Sequence, residues 1–101
     1  MKRGEVWWVH FSDKRRPALV LTRDAAIPLL HSVIVAPATR TARGIPTEIL
    51  LSQADGMPSE CVLSFDNLQV VHKSMLKRRI TALSPARLEQ ACDVTSYTLG
   101  C

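Results

Sequence analysis

The chain has 101 residues, 47% of them hydrophobic and 22% charged, which suits one compact domain over residues 1–101 and excludes a long disordered or low-complexity protein. Thirteen Lys and Arg against nine Asp and Glu give a net charge of +4, which fits a polyanionic partner without requiring one. No run approaches the ~18 consecutive apolar residues of a membrane helix, and Met1-Lys2-Arg3 leads into Gly4-Glu5 instead of an apolar signal core, so a cytoplasmic protein with no membrane association is expected.

The first predicted element is a strand over Glu5–Phe11, from its aromatic and β-branched content, with Val6, Trp8 and His10 on one face and Trp7, Val9 and Phe11 on the other. Adjacent tryptophans can stack bases, but core on one side and rim or dimer contact on the other is the preferred reading. Next comes a basic corner, Lys14-Arg15-Arg16-Pro17, and an apolar run, Ala18–Leu21. The Pro17 ring pushes Arg16 towards extended backbone and so restricts the direction in which its side chain leaves the sheet. After the connection Arg23–Pro28, a second apolar run, Ser32–Ala36, closes on Pro37-Ala38-Thr39. Both runs are short and β-rich, as strands covered on both faces are, and they belong at the centre of a sheet. Together they bring the Arg16 guanidinium and the Thr39 hydroxyl within reach of a single ligand.

Arg40–Gly44 reads as an exposed loop, Thr47–Leu51 as a strand, Ala54–Pro58 as a turn, and Cys61–Phe65 and Leu68–His72 as two further antiparallel strands. Ser74 is expected to cap one helical turn over Met75–Lys77, and Arg79–Ala82 to form a short edge strand guarded by charge. Ser84 and Pro85 are good first residues for a terminal helix over Pro85–Leu99 that stops at Gly100. Its Leu88, Ala91, Cys92, Thr95 and Leu99 share a face that should pack on the sheet. Cys61, Cys92 and Cys101 show neither CxxC nor Cys/His spacing, so no metal, no disulfide framework and no cofactor are expected.

The cations fall into three clusters: Lys14, Arg15 and Arg16; Arg40 and Arg43; and Lys73, Lys77, Arg78 and Arg79. Any one of them is more often a solvated surface charge than a ligand contact, but three clusters at strand ends favour a nucleic-acid surface. Ser64, Asp66 and Asn67 could meet a base edge, or simply close a turn. RNA carries its own nucleophile, since the 2'-hydroxyl can attack the adjacent phosphorus once its proton is removed and the added negative charge is held. A guanidinium suits the charge stabilisation, because it is always protonated and grips two phosphate oxygens in a fork. His10, His31 and His72 are candidates for acid and base by their side-chain chemistry, His10 and His31 foremost, although none sits in a diagnostic motif.

Five blocks in order carry a resemblance: Arg3-Gly4-Glu5-Val6-Trp7, Arg16-Pro17-Ala18-Leu19-Val20, Val33-Ile34-Val35-Ala36-Pro37-Ala38-Thr39, Ile45-Pro46-Thr47-Glu48-Ile49, and Val62–Lys73. Over Lys2 to about Leu83 the chain resembles the MazF/PemK toxins. The resemblance implies a mainly β (α+β) fold, an SH3-like antiparallel barrel with short helices and a C-terminal helix, working as a homodimer. It also implies metal-independent cleavage of single-stranded RNA, inhibition of translation and growth, and neutralisation by a cognate antitoxin protein. By motif, the family's catalytic Arg and Thr fall on Arg16 and Thr39. Lys14, Arg15, Arg40, Arg43, Asn67 and Lys73 then become the expected RNA-binding residues. Two departures stand out: the loop before Arg16 is reduced to Ser12-Asp13-Lys14-Arg15, and Asp66-Asn67-Leu68-Gln69 lacks a basic residue that the family usually places there. Two other functions fit the same residues: a CcdB-like toxin acting on a protein target, and a non-catalytic SH3-like nucleic-acid-binding module.

Overall fold

A computed structural model describes residues 1–101. Seven strands appear in the order β1 (Glu5–His10), β2 (Arg15–Val20), β3 (Ser32–Thr39), β4 (Glu48–Leu51), β5 (Cys61–Ser64), β6 (Gln69–His72) and β7 (Leu76–Ala82), followed by the helix α1 (Pro85–Leu99). All pairings are antiparallel, and the sheet runs β4-β5-β3-β2-β1-β7, with β6 added to β3. The fold is therefore mainly β, an SH3-like arrangement closed by a terminal helix.

The strand β3 carries this topology because it changes partner along its length. One edge pairs with β2; the other pairs with β6 over Ser32–Val35 and then with β5 at Ala38 and Thr39. Pro37, which has no N–H to give a ladder, lies at the changeover. Side-chain alternation divides the interior in two. Val6, Leu19, Ala36, Leu63 and Phe65 join a cluster under α1, while Val9, Ala18, Val20, Val33 and Val35 face the opposite side. Neighbours such as Leu19 and Val20 are thus both fully buried, as expected for two-sided strands.

The helix starts and stops as its sequence dictates. The Ser84 hydroxyl accepts from the Arg87 N–H at 3.3 Å, Pro85 opens the first turn, and Gly100 ends it with a left-handed backbone. Its packing face is narrower than expected: Ala91 is buried, Leu88 and Val94 pack beside it, and Leu99 is exposed. Three-residue spacing from Leu88 through Ala91 to Val94 keeps those side chains in register with the sheet, and Leu99 lies past its edge. Gly4 permits the approach, since at φ +90° a Cβ there would stand 2.6 Å from Leu88 Cδ2. A further bond fixes the helix from its side. Arg87 Nε and Nη2 donate to the Asp55 carboxylate at 3.0 and 3.2 Å, and Nη2 also reaches the Leu50 carbonyl at 2.9 Å.

One local expectation fails. The turn before β7 is a 3-10 turn over Lys73–Met75, and its cap is His72, whose Nδ1 accepts from the Ser74 N–H at 3.1 Å. Once that turn is completed, β7 begins at Leu76, so it is longer than expected and pairs along most of β1.

Candidate active site

The register of the two central strands sets the site. Ala18 lies opposite Pro37, Leu19 opposite Ala36 and Val20 opposite Val35. The ladder ends at that first pair, and Arg16 and Thr39 lie two residues past it at the same end of the two strands. Beyond Pro37 the strands part, because β3 follows β5. A cleft of about 690 Å³ opens there, lined by Arg16, Pro17, Ala38 and Thr39.

The cations around it come from two of the three clusters. Lys14 and Arg15 line the cleft from the start of β2, and Arg40 and Arg43 from the loop after β3. Asn67 joins them from the turn after β5, its Nδ2 donating to Ser64 Oγ at 2.9 Å. The third cluster stays away. Lys73 donates its ammonium to the Ile27 carbonyl at 2.8 Å, Arg79 pairs with Glu5 at 3.5 Å, and neither they nor Lys77 and Arg78 line the cleft.

His10 and His31 also lie outside it. The end of β1 carries His10, paired with Arg15 across the ladder. His31 stacks on His72, with ring centroids 6.4 Å apart, and faces a separate cavity lined by Leu30, Ile34 and Val70. A general acid or base must stand within about 2.6–3.2 Å of the proton it moves, directly or through a water. Neither histidine lines the cleft that holds Arg16.

Thr41, Glu48, Ser59 and Glu60, none of them singled out from the sequence, also form the walls, together with Trp8 and Cys61. Trp8 sits across from Pro17, with its ring half-buried at the rim. The strand alternation at Val6, Trp8 and His10 gave its face but not its neighbours. Burial, followed by the nearby Asp55 carboxylate, pushes the Cys61 thiol up from its ordinary value, so it stays a thiol. Thr39 Oγ1 donates to the Thr41 carbonyl at 3.3 Å, a long bond that an incoming acceptor can replace. Across the structure, no group of three or more His, Cys, Asp or Glu side chains gathers into a metal-ligand set.

Residues 2–94 match the family described as the PemK-like, MazF-like toxin of type II toxin–antitoxin systems. The chain belongs to that family. Over 102 aligned positions, covering the whole of both chains, it is 42% identical to the probable endoribonuclease MazF2 of Mycobacterium tuberculosis. Among solved structures, the M. tuberculosis toxin MazF-mt6 superposes with a TM-score of 0.88 at 31% identity, covering 95% of this chain and 96% of that one. An endoribonuclease in complex with its cognate antitoxin, from a mycobacterial species, superposes with a TM-score of 0.90. At 22% identity, covering 99% of this chain and 95% of the other, that last likeness shows the fold alone. For a MazF-like chain, the ordered sequence blocks occupy the strands that frame the cleft: the Arg16 block forms β2, and the block ending at Thr39 forms β3.

Proposed function

We propose that this MazF-like toxin cleaves single-stranded RNA at short motifs by attack of the 2'-hydroxyl on the adjacent phosphorus, with Arg16 and Thr39 as its catalytic pair. The chain is an endoribonuclease of the toxin family, in keeping with its relatives. One observation carries the assignment of the pair. Arg16 and Thr39, a permanent cation and a hydroxyl, line one cleft at the end of the β2–β3 ladder, and that cleft is rimmed by four more cations. In it the Arg16 guanidinium holds the non-bridging phosphate oxygens as charge builds, and Thr39 donates to one of them and fixes the scissile group. The chemistry uses no metal, because the nucleophile belongs to the substrate.

Lys14, Arg15, Arg40, Arg43 and Asn67 bind the flanking chain, the cations through phosphates and Asn67 through its free amide oxygen. Lys73 is assigned no contact, since its ammonium is already bonded to Ile27. The cleaved messages are cytoplasmic, where Cys61, Cys92 and Cys101, all free, stay reduced. Two partners complete the reading. An antitoxin with an acidic, flexible segment covers the positive cleft and excludes RNA, and a second copy of the chain pairs through exposed apolar surface. Leu29, Leu30, Ile34 and Val70 are 81, 46, 43 and 72% exposed, and Ile34 and Val70 are ladder partners.

The test is incubation of the purified chain with mixed-sequence RNA in EDTA, with mapping of product ends. Cyclic 2',3'-phosphate and 5'-hydroxyl ends at recurring short motifs are expected. Intact RNA would favour a CcdB-like action on a protein target or a binding module without catalysis.

A further inference from the structure

The loop between β3 and β4 is long, exposed and without regular structure, yet it carries two of the cleft's cations, Arg40 and Arg43. What holds it is a carboxylate. Glu48, the first residue of β4, accepts at a single oxygen, Oε1, from the backbone N–H of Arg43 at 2.9 Å and of Gly44 at 3.1 Å. Its own N–H donates to the Ile45 carbonyl at 3.1 Å, so backbone and side chain of one residue together hold residues 43–45, the end of the loop nearest β4. Gly44 has φ +68°, a left-handed conformation that turns two successive N–H groups towards one anion.

A negative side chain in an RNA cleft repels phosphate unless its charge is engaged. Two amide donors engage it here, and the arginines do not: the molecule's only ion pairs are Arg79–Glu5 and Arg87–Asp55. Arg40 and Arg43 therefore keep their guanidinium groups free while the backbone beneath them is tied down.

We propose that Glu48 is a positioning residue: it anchors the 40–46 loop so that Arg40 and Arg43 face the RNA backbone at the cleft. The ligand rests on the RNA-cleaving reading above; the anchoring does not. Glu48 takes no part in proton transfer, and an uncharged acceptor of the same shape does its work.

The experiment compares Glu48→Gln, which keeps the acceptor oxygen, with Glu48→Ala, which removes it. In the unaltered chain and in Glu48→Gln, the Arg43 and Gly44 amides should exchange slowly with solvent; in Glu48→Ala they should exchange at least about tenfold faster, with the amides of β3 and β4 unchanged. With single-stranded RNA, Glu48→Ala should raise KM about tenfold at nearly constant kcat, with the pH profile of kcat unmoved, and Glu48→Gln should restore KM. Against a 2'-O-methyl RNA, the salt slope of binding should fall by about 1.4 in Glu48→Ala, the loss of roughly two phosphate contacts on a single strand.

Unchanged exchange in Glu48→Ala overturns the anchoring. Loss of kcat in both variants, with a shifted pH profile, overturns the positioning role and makes Glu48 a proton carrier. Failure of the unaltered chain to bind RNA removes the ligand and overturns the functional reading, and the exchange experiment, which needs no RNA, separates that failure from the first.

Discussion

Arg87 and Arg16 are both half-buried arginines on the same small scaffold, and the fold uses them in opposite ways. Arg87 uses four of its five N–H groups inside the protein: Asp55 takes two, the Leu50 carbonyl a third, and Gln90 Oε1 accepts from Nη1 at 2.8 Å. It locks α1 to the turn before β5. Arg16 makes no ion pair within the chain and opens onto a cleft with Thr39. A guanidinium that has its bonds inside the protein is structural, whereas one held in a fixed direction with none is ready for a ligand. Burial does not separate the two residues; the inventory of partners does.

The sharpest way to break the contrast is to remove each guanidinium in turn. Arg16→Ala should lower the rate of RNA cleavage by about 10²–10³, the usual loss when one stabiliser of a developing negative charge is removed. Its melting temperature should match the parent within error, because no internal bond is lost. Undiminished cleavage in EDTA would remove Arg16 from the site. Arg87→Ala should do the reverse. Losing charged hydrogen bonds around a carboxylate that is 11% exposed should destabilise by about 1–3 kcal/mol, while cleavage well below the melting point stays near the parent rate.

The same contrast should appear in acid. The Arg87 hydrogen bond, outweighing burial and aided by the Ser52 amide, holds the Asp55 carboxyl below its ordinary value near 3.8. A carboxyl lowered by folding adds stability that is fully present above its unfolded value and disappears as pH falls through the folded one. Measured by urea unfolding, the stability gap between parent and Arg87→Ala should be constant from pH 7 to about 5 and close below about 4. A gap independent of pH would mean that the guanidinium acts through packing alone. Arg16→Ala should show no such acid dependence.

How much of this was legible in the sequence depends on whether the cause was local. The helix was, to the residue, since Ser84, Pro85 and Gly100 act on their own neighbours. The β character of the two central runs was too, and the cleft at their shared end is lined by both Arg16 and Thr39. The partners were not. Nothing near Lys73 in the sequence announces the Ile27 carbonyl, 46 residues away, and nothing near Asp55 announces Arg87, 32 residues away. The same blindness hid Glu48 and Glu60 among the cleft walls and pointed to His10 and His31, which do not line it. Glu48 left one trace, a carboxylate opening an otherwise apolar strand four residues after a glycine. Chain proximity also grouped Lys73 with Lys77, Arg78 and Arg79 as a single basic cluster, although the fold commits its members separately.

Lys73 supplies the smallest effect and the finest test of the contrast. It carries the same formal charge as Lys14 and counts equally in the net +4, but its ammonium is donated to the Ile27 carbonyl whereas Lys14 is exposed at the cleft. If RNA binding followed total charge, neutralising either lysine would weaken it alike. If binding follows unpartnered cations at the cleft, Lys14→Ala should reduce the salt slope of binding to 2'-O-methyl RNA by about 0.7, one phosphate contact on a single strand, and Lys73→Ala should leave the slope unchanged. Lys73→Ala should instead cost about 1 kcal/mol of stability, because the Ile27 carbonyl loses the shorter of its two hydrogen bonds and keeps only the one from the Leu30 N–H at 3.4 Å. Equal slopes for the two variants would show that the whole positive surface, and not the cleft between β2 and β3, gathers the RNA.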